Sequence, residues 1–112
     1  MILNNDIKLP APKFKSELKI VTLDELEKTV ANLKKHGKTV VMCHGVFDLL
    51  HPGHIMHFEA AKREGDVLIV TLTKDQYVGK GPGRPVFNQR LRAESIASLG
   101  CVDYVAINEW PI

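Results

Sequence analysis

Val40-Val41-Met42-Cys43-His44-Gly45-Val46-Phe47-Asp48-Leu49-Leu50-His51-Pro52-Gly53-His54-Ile55-Met56-His57 is the stretch that decides how this chain is read. Thr39 to Cys43 is a short apolar run flanked by polar residues and glycine, which suits a buried strand. His44 and Gly45 break it. Asp48 to His54 then makes a compact turn, with Pro52 and Gly53 where a helix can begin. His51 and His54 stand three residues apart across that Pro-Gly pair. A helix N-terminus offers free backbone N–H groups and a partial positive charge. Two imidazoles at the same place add hydrogen-bond donors, so strand, sharp turn and helix start together suit a polyphosphate.

A metal site competes for the same residues. Cys43, His44, His51, His54 and His57 are five potential ligands within fifteen residues. Zinc favours paired spacings such as CxxC or HxxxH, and neither occurs. Pro52-Gly53 makes better sense as a backbone device that admits a phosphate, so no metal ligands are assigned. His44 and His57 read as packing or surface histidines, with His57 one turn beyond His54.

Outward from this stretch, the pattern is one of alternating helices and strands. Residues 1–19 hold Leu9-Pro10-Ala11-Pro12 and read as an extended arm. Thr22-Leu23-Asp24-Glu25 is a capping box. Leu23, Leu26, Val30 and Leu33 follow at helical spacing, and Gly37 stops that helix after Lys34, Lys35 and His36. After the His51–His54 turn a helix runs from about Gly53 to Arg63 and ends at Gly65, with Phe58 and Ala61 towards a sheet. Asp66 to Thr73 is a nearly continuous apolar run, as in a parallel strand covered on both faces. Lys74 to Gln76 starts a short helix, and Gly79 to Pro85 is a loop. Asn88 caps a helix through Leu99, closed by Gly100. Val102 to Ile107 is a third strand. This order predicts a Rossmann-like α/β fold, three layers α/β/α around a parallel sheet, with residues 20–112 as one domain. Ligands of open parallel sheets bind beyond the carboxyl ends of the strands. That edge gathers the histidine turn, the segment after Thr73 and Ile107-Asn108-Glu109. Trp110 beside it is either a base-stacking platform or a cap on the core.

Composition narrows the classes. The chain has 112 residues, 45% of them hydrophobic, which is one domain with a modest core. A net charge of +2 does not argue for nucleic acid. No stretch reaches the roughly 20 apolar residues of a membrane span. The first residues carry no basic-then-apolar secretory pattern. Cys43 and Cys101 lack scaffold spacing and fit a reducing cytoplasm as small buried hydrophobes.

Gly45-Val46-Phe47-Asp48-Leu49-Leu50-His51-Pro52-Gly53-His54 resembles the signature of the HxGH nucleotidyltransferases, in their cytidylyltransferase-like branch. G-x-F-D followed by H-x-G-H at this distance is far more specific than a lone glycine motif. The resemblance continues through Ile107. Gly79-Lys80-Gly81-Pro82-Gly83-Arg84-Pro85-Val86 and Asn88-Gln89-Arg90 bring it nearest to sugar-phosphate adenylyltransferases, above all the heptose 1-phosphate adenylyltransferase domains of ADP-heptose synthesis. In that family the domain continues to a G-x-D turn and a Ser/Thr-rich helix start, so the chain resembles an N-terminal portion.

What the resemblance implies is transfer of a nucleoside monophosphate from ATP or CTP to a sugar 1-phosphate or a polyol phosphate, with Mg²⁺ on the nucleotide. His51, His54 and Lys80 take the catalytic roles. Gly45, Val46, Phe47, Asp48, Gly53, Arg84 and Arg90 border the nucleotide, with amides near Gly53 at the helix end and backbone groups of Val46 and Phe47 alongside. Arg90 matches the arginine of the family's E-Q-R-like segment, while Asp48 braces the turn through backbone amides. The resemblance also implies a cytoplasmic protein, commonly a homodimer, with a sugar kinase domain possible in a parent protein. Two other functions fit the same residues: a glycerol-3-phosphate-type cytidylyltransferase, and a nucleotide-binding or assembly module without turnover.

Overall fold

A computed structural model describes residues 15–79 and 81–110. The first helix, α1 (Leu23–Lys35), starts where Thr22 Oγ1 accepts the Glu25 amide at 3.1 Å and ends at Gly37, whose φ of 76° suits glycine. β1 (Val40–Gly45), α2 (Pro52–Lys62), β2 (Val67–Thr73), α3 (Gln89–Ala97) and β3 (Tyr104–Asn108) follow, with a 3-10 turn at Asp75–Tyr77. Asn88 caps α3 by accepting the Leu91 amide at 2.9 Å. The strands form one parallel sheet in the order β1-β2-β3.

β2 shows why the sheet is sandwiched. Leu68, Val70 and Leu72 point to one face and pack with Phe58 of α2 and Ala93, Ile96 and Ala97 of α3. Ile69 points to the other and packs with Leu26 of α1 and Ala106 of β3. Alternate residues of an extended strand face opposite ways, so an apolar run must be covered on both sides. The result is the three-layer α/β/α arrangement that the sequence predicts, with α1 on one face and both crossover helices on the other.

Several boundaries differ from the sequence reading. β1 continues through His44 and Gly45, because the ladder pairs them with Thr71 and Leu72. α3 stops at Ala97, before Leu99, as the Leu99 amide turns to Ile96 O. β3 begins at Tyr104 and runs to Asn108. Lys15–Lys19, read as part of an extended arm, is a 3-10 turn pinned to the domain. Lys19 Nζ donates to Leu99 O at 3.0 Å, and Ile20 bridges to Val105. The rest of that arm, residues 1–14, lies outside the described residues, as does Lys80. No described helix is long and apolar enough to cross a membrane.

The carboxyl ends of the three strands meet at one edge. Thr73 Oγ1 lies 3.5 Å from both His44 Nε2 and Gly45 O, and Lys74 Nζ bonds Glu109 Oε2 at 2.6 Å. That hydrogen bond to Glu109 raises the Lys74 pKa above its ordinary value.

Candidate functional site

His51 is the N-cap of α2, in place of the usual Ser, Thr, Asp or Asn. Its Nδ1 accepts the Gly53 amide at 3.0 Å, and its own amide donates to His54 Nδ1 at 3.2 Å. The two histidines thus close a reciprocal capping box with imidazoles as the acceptors. A ring nitrogen that accepts carries no hydrogen, so each neutral ring holds its proton on Nε2. The cap fixes both tautomers as Nε2 donors and holds the ring centroids 3.9 Å apart, tilted by 33°.

This arrangement changes one expectation. The Gly53 amide, assigned to the phosphates, is taken by His51. The ring crowds Gly53 so closely that a Cβ there would meet His51 Cε1 at 2.7 Å, and glycine is needed for that approach. Polar capacity at the helix start therefore passes from the backbone to the imidazoles.

Phe47 supports them. Its φ of 51° lies in the left-handed region, uncommon for a residue with a large side chain. Its ring folds back over Gly45, where a Cβ would lie 2.7 Å from Phe47 Cζ. The ring stands edge-on to His54 at 5.6 Å and to Phe58 at 5.0 Å. Through Phe47 the histidine turn rests on the core.

Asp48 braces two segments to each other. The backbone amides it was expected to bind within its own turn are instead those of Val86 at 2.8 Å and Phe87 at 3.0 Å, and Arg84 Nη1 donates to Oδ2 at 2.9 Å. Arg84 is thus paired with a carboxylate. Burial pushes the Asp48 carboxyl up, but the Phe87 and Val86 amides and the Arg84 guanidinium outweigh it and hold its pKa at about 2, below the usual 3.8. A folded-state pKa below the unfolded one means that the brace stabilises fully above pH 3.8 and is lost as pH falls towards about 2. Amide NMR signals of Val86 and Phe87 are expected to hold steady down to about pH 4 and to shift between about 4 and 2. A transition at or above the ordinary carboxylate pKa would contradict the pairing.

Arg90 does not reach the turn. It lies exposed on α3, bonded to Glu94 Oε1 at 3.1 Å. The arginine that reaches the turn is Arg92, whose side chain is fully buried and donates to Val46 O at 2.8 Å. The Val46 carbonyl, expected to border the nucleotide, therefore faces inward. A signal for Arg92 was present: it falls on the inward stripe with Ala93, Ile96 and Ala97, where an arginine can persist only with partners.

His44 lies on the α1 side of the sheet with Nδ1 2.7 Å from Thr71 Oγ1, and His57 Nε2 lies 3.8 Å from Cys43 Sγ. Burial pushes the Cys43 and Cys101 thiols up, as for packed hydrophobes rather than reactive thiolates. A hollow of about 370 Å³ beside the turn is walled by Phe47, Asp48, Leu50, Phe87 and Arg92, while His51 stands exposed at the start of α2.

A three-stranded parallel α/β sheet thus carries the capped imidazole pair at a strand-to-helix turn. Residues 42–112 match the family model described as cytidylyltransferase-like, and the chain belongs to that family. It is 46% identical over 99 residues to the bifunctional protein HldE of Aliarcobacter butzleri, spanning 87% of this chain and 21% of that protein. It is 43% identical over 94 residues to the bifunctional protein HldE of Geobacter metallireducens, spanning 82% and 19%. The chain thus spans about a fifth of the length of the curated relatives it matches. Among solved structures, the lipopolysaccharide core biosynthesis protein from Thermoplasma volcanium superposes with a TM-score of 0.58 at 34% identity, over 64% of this chain and 59% of that one.

Proposed function

We propose that the chain is a nucleotidyltransferase domain that joins a nucleoside monophosphate to a sugar 1-phosphate. The supporting observation is the pair of capped imidazoles with Nε2 donors at one helix start. An acceptor phosphate oxygen bonds to the α-phosphorus of ATP or CTP as the bond to the β-phosphate oxygen breaks, and pyrophosphate leaves. No enzyme nucleophile is needed. Fixed donors aimed at the charge developing on the α-phosphoryl group supply the rate, together with alignment of the two substrates. His51 and His54 are those donors. Lys80 neutralises charge on the transferring phosphates. Arg84, paired with Asp48, borders the nucleotide.

Mg²⁺ enters with the nucleotide. Asp48, the carboxylate nearest the turn in sequence, has its oxygens occupied by Arg84, Val86 and Phe87. Phosphates and water would hold the ion, which suits its reluctance to dehydrate. The likeness of residues 79–90 to sugar-phosphate adenylyltransferases favours ATP and heptose 1-phosphate, in a cytoplasmic enzyme whose parent carries a sugar kinase domain, and relatives named as bifunctional, of which the chain spans about a fifth, fit such a parent. A glycerol-3-phosphate-type cytidylyltransferase differs only in base and acceptor.

A second reading rests on the sheet edge. Among the described strands β1 has a neighbour on one side only, and Met42 on it is 56% exposed. Such an edge suits a nucleotide-binding module that assembles, as a homodimer, without turnover. Calorimetry with ATP and CTP followed by pyrophosphate release over a matrix of sugar and polyol phosphates separates the readings. Pyrophosphate released with one nucleotide and one acceptor supports transfer. Binding without release supports the module.

A further inference from the structure

The side chain of Arg92 has 0% exposure. A guanidinium removed from water must satisfy its N–H groups or destabilise the fold. Three segments around the histidine turn each supply one acceptor. Nη1 donates to Val46 O at 2.8 Å, Nε to Phe87 O at 3.0 Å, and Nη2 to Asp75 Oδ1 at 2.6 Å. Packing does not call for this residue. A leucine on the same stripe would fill the space without desolvating a charge. What the guanidinium adds is a rigid fork with fixed directions. One prong holds the carbonyl of Val46, the residue before Phe47. Phe47 is in turn the left-handed residue whose ring stands edge-on to His54 at 5.6 Å.

We propose that Arg92 is a positioning residue for phosphate chemistry at the turn: its grip on Val46 holds Phe47 in the left-handed conformation, and Phe47 sets the His54 imidazole. The same fork ties the segment after β2, through Asp75, and the segment before α3, through Phe87, to that turn. Buried as it is, Arg92 acts on His54 through Val46 and Phe47 rather than by direct contact. The kinetic part of this inference rests on the nucleotidyl-transfer reading, and the spectroscopic part does not.

The test uses the full chain with ¹⁵N-labelled histidines. Arg92→Lys keeps the charge but cannot span three acceptors. The imidazole signals of His51 and His54 are expected to move, while those of His36, at the far end of α1 and bonded to Asn32 O, stay in place. A small displacement of a catalytic group is expected to lower kcat roughly ten- to a hundredfold, with the nucleotide KM changed far less. Phe47→Leu leaves Arg92 intact and is expected to reproduce the His54 shift. Adding Arg92→Lys to it should then lower kcat by no more than about twofold further, since both changes act through one path. If Arg92→Lys does not fold, Asp75→Asn, which weakens one of the three bonds, is judged by the same signals. Folded Arg92→Lys or Asp75→Asn with His51 and His54 signals unmoved would overturn the proposal, as would Phe47→Leu without effect on His54. A wild-type chain that releases no pyrophosphate would sink the nucleotidyl-transfer reading, while the imidazole spectra still decide the role of Arg92.

Discussion

His54→Ala is expected to lower nucleotidyl transfer by about 10²–10³-fold, the effect of deleting one fixed donor to a developing oxyanion. Two functions are lost at once. The Nε2 donor disappears, and the amide of His51 loses the Nδ1 that accepts it at 3.2 Å. The second loss frees the His51 ring from its counterpart in the capping box. Its effect on the fold is modest, since a lost cap costs about 1 kcal/mol. His54 is only half-buried, in the first turn of α2, so the variant should fold with the same circular dichroism spectrum. Pyrophosphate release within about twofold of wild type, from a folded variant, would remove His54 from the chemistry.

Phe58→Ala is expected to have the largest effect on stability. Phe58 has 0% exposure and packs in the cluster with Leu68, Val70, Leu72 and Ile96, so truncation leaves a cavity between α2 and the sheet. Such truncations cost about 3–5 kcal/mol, out of a total of roughly 5–15 for a domain of this kind. At roughly 4–8 °C per kcal/mol the melting temperature falls far enough to unfold much of the population at 37 °C. The site suffers as well, because Phe58 is the ring on which Phe47 stands at 5.0 Å. Phe58→Leu keeps most of the volume and should cost less than about 1.5 kcal/mol. Thermal melts decide it, and a loss below about 1 kcal/mol for the alanine variant would mean that the core closes over the gap.

Much of the fold was legible because its causes are local. The apolar run 66–73 suited a strand covered on both faces, Thr22 and Asn88 announced helix starts, and the His51–His54 spacing marked the strand-to-helix junction. What escaped was set by contacts between distant residues. Asp48 finds its amides at Val86 and Phe87, almost forty positions away, and no spacing rule reaches that far. Arg90 and Arg92 sit two residues apart on one helix, so a motif match could settle on the exposed one. Only packing shows that Arg92 turns inward. The use of Nδ1 for capping was hidden for a different reason. Imidazole is a rare N-cap, so the helix start was read as presenting bare amides, and the structure instead spends the Gly53 amide on fixing a tautomer.

The most direct measurement is a crystal structure of the full chain with a non-hydrolysable ATP or CTP analogue and magnesium. Phosphate oxygens within hydrogen-bonding distance of Nε2 of both His51 and His54, with each Nδ1 still holding its backbone amide, are the expected result. A nucleotide bound elsewhere, or a transition metal seated between the two rings, would contradict it.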